Sequence, residues 1–462
     1  MPQPLEPAAI VRERIGPYLV VACLVTVVYC VTMAPSLTWS HWGSDGGDFI
    51  TAATTGRVPH PPGFPTYLFL SRASLWLQPS DPARALNYLS ALCALGAVLL
   101  TVGTVRSRGV SPGASVTAGC SLAFSPWFWS QALITEVYAT AALFASLTIF
   151  LVQRVEARRL FPWTLVGLGL GLGVSTHLTL IFLMPYVVLG RKVHWPGLMA
   201  GLAVGILPYA LLPLFGPWPQ PWGDLSTIAG WVEYVSARMY WGNAWTLPSG
   251  DWPARTLAWA TLVTRQFTPL GALLIITGAA WRWSGFRMRV LGGAVAFLMA
   301  SLYAIGYNSP DSWVYLVPHM ALAAVALGDG LQALAVSEGR IGILSRALGL
   351  SIPILLLALY WQDTSLSNDH EAVDWLSAAL TASPTDAVIV TNQDHHTFAL
   401  WYATEAVVRR PDLMVVDERL WGYGPYDAFV RQALGGQGDT IGALAATRTL
   451  CYVDIRHEVV CQ

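Results

Sequence analysis

From Ile15 to Met33 the chain carries no charged side chain, and apolar runs of this kind recur as far as Tyr360. A run of about 20 apolar residues is long enough to cross a bilayer as a helix. Inside the bilayer each crossing segment must satisfy its own backbone hydrogen bonds, which for runs like these means helices. Charged residues are 11% of the chain, against roughly 25% in a soluble domain. The mean hydropathy of +0.50 points the same way. An all-α polytopic membrane protein is expected, with the lipid bilayer as its first partner. A net charge of −1 and the lack of a basic tail give no sign of a nucleic-acid partner.

Arginine sets the orientation, because Lys192 is the only lysine. Arg106 and Arg108 follow an apolar run from about Ala83, and Arg154, Arg158 and Arg159 follow another that starts near Leu133. Arg191 with Lys192, then Arg282, Arg287 and Arg289, then Arg340 and Arg346 mark three further connections. Placing all of them in the cytoplasm gives about eleven spans. Residues 161–190 must then hold two short spans that turn near His177. The first run is too long for a secretory leader and no small-residue cleavage pattern follows it, so it reads as a retained span. Its setting would be a bacterial inner membrane, with the long connections 36–82 and 216–255 facing the periplasm. Within the first, the proline-led piece 62–77 is expected to lie at the interface.

After about Ser365 the pattern changes. Ala387 to Thr391 reads as a buried strand, a helix follows over 397–407, and a second strand covers 413–416. This predicts two domains: transmembrane over 1–364, and a small extracytoplasmic α/β domain over 365–462. Cys23, Cys30, Cys93 and Cys120 lie in apolar stretches as small core residues. Cys451 and Cys461 flank a strand-like segment and can pair if that end is outside the cytoplasm.

The few polar groups gather on one face. Asp45 and Asp48 stand three apart around a Gly-Gly pair, able to point together into a pocket. The ordinary role for such a pair is to cap a helix starting at Gly46. His60 opens His60-Pro61-Pro62-Gly63-Phe64-Pro65, a path stiffened by proline; the prolines suit an interfacial helix entry, but the histidine is left over as a phosphate or substrate contact. Glu136 begins a span, and His177 sits in a turn; a helix-end glutamate and a satisfied core histidine are the competing readings. Arg238 lies among aromatics and suits an anionic phosphate, with Glu233 as a cheaper local partner. Asn308 and Asp311 belong to an ordinary turn. Asp394 follows a predicted strand, at the end where ligands often bind. His395 and His396, adjacent on a regular element, would not face the same way, so no metal site is expected there.

Taken in order, Asp45-x-Gly47-Asp48-Phe49, the His60 box through Tyr67, Thr135-Glu136-Val137-Tyr138 and Gly173-x-x-x-His177-Leu178-Thr179 resemble a family. Tyr307-Asn308-x-x-Asp311-x-x-x-Tyr315-x-x-Pro318 completes the set. The resemblance is to the protein O-mannosyltransferase-like GT-C membrane glycosyltransferases, whose animal member mannosylates plexin ectodomains. It implies a GT-C fold, a polyprenyl- or dolichyl-phosphate sugar donor, inverting transfer to a protein or glycan hydroxyl, and mannose as the sugar. It places the catalytic carboxylate at Asp45, with Asp48 at the second acidic position. Donor phosphate would meet His60, His177 and Arg238, and other substrate contacts would come from Glu136, Tyr138, Asn308, Asp311, Tyr315 and Asp394. No cofactor is expected, although Asp45 and Asp48 have the chemistry to hold a divalent cation. The competing function is a transporter or flippase of a lipid-linked sugar; transporters tend to carry inverted repeats and mid-membrane ionisable groups, and neither is evident.

Overall fold

The computed structural model describes residues 7–76, 78, 80–155, 159–336, 340–433, 448–454 and 456–461. Helix α1 (Pro7–Thr32) leads to two short helices, α2 (Gly46–Thr55) and α3 (Pro65–Ser74). A bundle follows: α4 (Pro82–Ser107), α5 (Pro112–Ala123), α6 (Pro126–Ala132), α7 (Val137–Gln153), α8 (Leu160–Val174), α9 (Met184–Val188), α10 (Trp195–Ile206) and α11 (Pro208–Leu211). After α12 (Ile228–Val235) come α13 (Trp252–Gly306), α14 (Met320–Ala335) and α15 (Arg340–Thr364). The remaining chain carries α16 (Glu371–Ala382), β1 (Val388–Thr391), α17 (Asp394–Trp401), β2 (Met414–Asp417), α18 (Gly424–Ala433), β3 (Leu450–Val453) and β4 (Val459–Cys461).

This is a multi-pass membrane protein. Among the described residues five helices are long and apolar enough to cross a membrane, or six if α6 and α7, bent by 113°, count as one broken span. Large apolar side chains stay uncovered along α1 (Leu19, Val27) and α13 (Leu273, Ile276), as on a surface that meets lipid. The last expected span is covered by the 25 residues of α15, whereas several others are shorter than their apolar runs because the sequence interrupts them. Ser125-Pro126 starts a new helix inside the expected third span, and 161–190 splits into α8 and a short turn of helix ending in α9. Helix α13 holds two expected spans at once. It leaves helical geometry at Phe286, beside the arginine cluster, and doubles back. Arg255 near its start therefore donates to the carbonyls of Ala304 (3.1 Å) and Tyr307 (3.0 Å) at its end.

Two kinds of contact hold the bundle. Helices α8 and α10 lie backbone to backbone; a Cβ on Gly167 would stand 2.1 Å from the Leu198 carbonyl oxygen, and one on Gly201 2.0 Å from that of Thr164. Small residues allow this close approach where lipid provides no hydrophobic drive for helices to associate. At one end of the bundle the buried carboxylate of Asp329 takes Arg108 from α4's end (2.5 Å) and Arg282 from α13 (2.7 Å). The expectation that these two arginines share a side of the membrane agrees with this meeting. Their partner was not expected.

The strand-bearing segment forms a sheet in the order β2-β1-β3-β4. Strand β1 runs parallel to β2 (Val388 opposite Met414) and to β3 (Val388 opposite Leu450); β4 is antiparallel to β3. Cys451 and Cys461 face each other across the last pair and are joined by a disulfide. This segment is tied to the first connection: Leu366 N donates to Thr32 O (2.8 Å), and Thr38 Oγ1 to Asp369 Oδ2 (2.5 Å).

Removing one partner of a buried ion pair leaves uncompensated charge and typically costs about 3–5 kcal/mol. Asp329→Asn is expected to lower the unfolding free energy of the detergent-solubilised protein by that order, while Asp374→Asn, exposed on α16, leaves it nearly unchanged.

Candidate active site

The first connection is shaped by a short turn over Ser40–Asp45 in which His41 and Trp42 both take left-handed backbone angles (φ 59° and 67°). Non-glycine residues rarely adopt them unless their surroundings hold them there. His41 is held twice: its Nε2 lies 3.0 Å from the Thr364 carbonyl, and its own carbonyl accepts from Gln131 Nε2 at 2.9 Å. The turn delivers Asp45 to the N-terminus of α2. Asp45 does occupy the cap position there, but its side chain makes no capping hydrogen bond. Capping alone thus does not account for it.

Asp48 and His60 are locked together. Asp48 Oδ2 accepts from the His60 backbone N–H (2.7 Å) and from His60 Nδ1 (2.8 Å), and Asp48 Oδ1 accepts from Trp222 Nε1 (3.0 Å). Both side chains are buried. With Nδ1 given to Asp48, Nε2 of the same ring points at Asp45, 3.5 Å from Oδ2. Among the described residues Asp45 makes one other polar side-chain contact, from Ser44 Oγ at 3.4 Å, and a third of its side chain remains open. The two acids thus play different parts, which their spacing did not reveal. Asp48 is saturated and positions His60; Asp45 keeps an accessible oxygen. The imidazole also stands between the two carboxylates, in the place a bridging cation would take.

Burial pushes the Asp45 carboxyl up to about 7, with His60 pulling against it and Asp394, Asp311 and Asp48 adding to it. For His60, burial acts downward, but Asp45 and the hydrogen-bonded Asp48 outweigh it and raise the ring to about 9. At neutral pH this is an imidazolium beside a carboxyl near half-ionisation.

Other expected residues form a second ring around this core. The His60 ring meets Phe64 (5.1 Å between centroids), and Phe64 stacks on His177 (6.0 Å). His177 in turn contacts Tyr138 and Tyr315, each at 5.3 Å. Thr179 Oγ1 holds His177 Nδ1 at 2.8 Å, and Nε2 has no hydrogen bond among the described residues. Glu136 caps α7 through Val137 N (3.2 Å), yet its Oε1 is buried with no hydrogen-bond partner. Asp311 accepts from Ser309 Oγ and acts electrostatically on Asp45. Asp394 also acts on Asp45, but its carboxylate is committed to Arg419 at 2.7 Å.

Two expected residues are not drawn in. Arg238 is exposed and makes no ion pair among the described residues, so the local pair with Glu233 does not form. Asn308 is exposed, and only its backbone is engaged, by the Asn243 carbonyl at 2.8 Å. Residues that sequence reading passed over come from the aromatic connection 216–255, which folds across the site. Trp222 holds Asp48, Tyr234 OH bonds to the Pro59 carbonyl, and Tyr240 lies 6.4 Å from His60. The density of Trp and Pro in that connection was the available signal. Helix α17 closes the site from the sheet side. A Cβ on Gly47 would lie 2.3 Å from the Phe398 carbonyl oxygen, so glycine there sets the approach of α17 to α2.

Residues 45–194 match the family model described as the Protein O-mannosyl-transferase TMEM260 N-terminal domain. The protein O-mannosyl-transferase tmem260 of Dictyostelium discoideum is 24% identical over 266 residues, 48% of this chain and 32% of that one. Its Mus musculus counterpart is 28% identical over 237 residues, 47% and 33% of the two chains. The chain thus covers about a third of the length of these curated relatives. Among solved structures, ArnT from Cupriavidus metallidurans bound to undecaprenyl phosphate superposes with a TM-score of 0.58 at 14% identity, over 97% of this chain and 98% of that one. The apo oligosaccharyltransferase of Archaeoglobus fulgidus gives 0.56 at 11% identity, over 92% and 69%. The fold is the GT-C fold of these enzymes.

Because the Asp48 carboxylate helps to raise His60, Asp48→Asn is expected to move the His60 titration down from about 9 toward the ordinary value of about 6.5. NMR of histidine-labelled protein reads this directly, and an unchanged midpoint would show that Asp48 does not set the charge on the ring.

Proposed function

We propose that the chain is a membrane glycosyltransferase that moves a sugar, mannose by family likeness, from a polyprenyl or dolichyl phosphate to a hydroxyl on a protein or glycan acceptor. Asp45 is the general base. The observation that carries this reading is the division of labour between the two acids: Asp48 is spent on His60 and Trp222, while Asp45 stands open beside the charged ring.

In this mechanism the acceptor oxygen attacks the anomeric carbon as its proton passes to Asp45. The bond from that carbon to the phosphate oxygen breaks, and its electron pair leaves with the lipid phosphate. A single displacement of this kind inverts the anomeric centre. Phosphate is a good leaving group without protonation, so what the site must add is positive charge near it. The His60 imidazolium serves that purpose, and Arg238, exposed and without an ion pair among the described residues on the connection that brings Tyr240 to His60, would add charge only if donor binding draws it in. His177, its ring among Tyr138, Tyr315 and Phe64, lines the other side of the sugar site, with Glu136 and Asp311 as polar contacts. A groove of about 680 Å³ between α6, the first arm of α13 and α15 opens beside Trp42, three residues before Asp45, and suits an isoprenoid chain. ArnT bound to undecaprenyl phosphate supports a donor of this type. Read by the positive-inside rule, the arginine-rich end is the cytoplasmic one, which supports a site at the extracytoplasmic face.

A positioned base contributes typically about 10²–10⁴-fold. Asp45→Asn is expected to lose sugar transfer from a radiolabelled polyprenyl-phosphate donor by that factor without losing expression. Wild-type-like transfer would remove Asp45 from the role, and label that crosses the membrane without reaching any acceptor would favour a flippase. The base works ionised, so transfer should rise as pH increases through about 7. The imidazolium works protonated, so transfer should fall again above about 9. Because His60 pulls Asp45 down, His60→Gln should shift the lower limb to higher pH; a lower limb that stays in place would show that the two groups are not coupled.

A further inference from the structure

At the edge of the sheet three histidines meet. His395 and His396 sit in the first turn of α17, and His457 is carried by the turn between β3 and β4. One ring nitrogen from each lies within 4.8 Å of the others. His457 Nδ1 and His396 Nε2 are 3.1 Å apart, and the His395 and His396 rings approach to 4.1 Å between centroids. Adjacent residues converge here because α17 begins at Asp394, three residues before the helix expected from sequence, and its first turn packs against Trp39.

The surroundings hold these rings as a set. Trp375 stacks on His396 (4.5 Å, 21°) and donates its Nε1 to the His457 carbonyl at 2.5 Å. Trp39 stands edge-on to both His395 (4.8 Å) and His396 (5.6 Å). The Cys451–Cys461 disulfide ties together the two strands that present His457. Nearby carboxylates are engaged elsewhere: Asp394 by Arg419, and Asp454 by the backbone N–H groups of Arg456 and Glu458. His396 Nδ1 is buried with no hydrogen-bond partner. A cluster of imidazoles without an acid is a poor way to build an ion pair, but it is a common donor set for a borderline metal.

We propose that His395, His396 and His457 bind one divalent transition-metal ion of the zinc class. Tetrahedral Zn–N bonds of about 2.0–2.1 Å place ligand nitrogens about 3.4 Å apart, and the His396–His457 pair already stands close to that. The fourth position opens to solvent on the side of the exposed His457. Such an ion links α17, which closes the acid site, to the β3–β4 hairpin, with Trp39 of the first connection packed on the same rings. This inference does not depend on the proposed sugar transfer.

The test uses tag-free, full-length protein in detergent, stripped with a chelator and titrated with ZnCl₂ by calorimetry, with X-ray absorption on the loaded sample. One equivalent is expected, ligated by imidazole nitrogen at about 2.0–2.1 Å, together with a rise in unfolding temperature. His457→Gln, on an exposed turn, should weaken binding by about tenfold or more, and His395→Gln with His457→Gln should abolish it. His370→Gln, an exposed histidine elsewhere, should leave it unchanged. Absence of a stoichiometric site, binding that survives the double substitution, or a sulfur or all-oxygen first shell would overturn the proposal.

Discussion

The hydrogen bonds that converge on Asp48 organise the site. A carboxylate so buried is tolerable only when its oxygens are satisfied, and here three donors come from two distant parts of the chain: the backbone and ring of His60, and the indole of Trp222. Each also does something for the geometry. The backbone bond fixes where the proline-stiffened segment passes, the ring bond fixes which nitrogen faces Asp45, and the indole bond draws the aromatic connection across the opening. Replacing Asp48 would thus loosen both the His60 segment and the aromatic connection, whereas replacing Asp45 would disturb little besides its own contact with the ring.

The membrane scaffold serves this arrangement through its interruptions more than its regular spans. The bend between α6 and α7 places Glu136 at a helix start facing the site, and the break after α8 leaves His177 at a turn rather than inside a helix. Polar backbone freed by such breaks is tolerated inside a membrane protein where it lines a cavity or is covered by protein. The strand-bearing segment then covers the opening from outside the bundle, with Gly47 letting α17 settle directly on α2. The proposed metal site lies at the first turn of that helix, next to the strained turn that leads to Asp45.

Much of this was legible in the sequence because hydropathy and arginine placement are long-range signals. The bundle, the β-α-β pattern and the gathering of Asp45, His60, His177 and Asp311 followed from them. The failures share a cause. Asp45 and Asp48 look alike in sequence, and only Trp222, far along the chain, separates the saturated acid from the open one. Asp329 sits unremarked in an apolar run, since its meaning depends on two arginines more than forty residues away. His395 and His396, as neighbours on a regular element, are expected from sequence to face different ways. An early helix start and a third histidine from the last hairpin reverse that reading, and neither has a local signature.

If Asp45 stands at the extracytoplasmic face beside the lipid-phosphate site, position 45 should be reachable from that side alone and shielded by donor lipid. A chain with Asp45→Cys, and with Cys23, Cys30, Cys93 and Cys120 replaced, can be labelled with a membrane-impermeant thiol reagent in vesicles of known orientation. Labelling only from the side opposite the arginine-rich end, slowed by added polyprenyl phosphate, is the expected result. Labelling from the arginine-rich side, or a rate that polyprenyl phosphate leaves untouched, would contradict it.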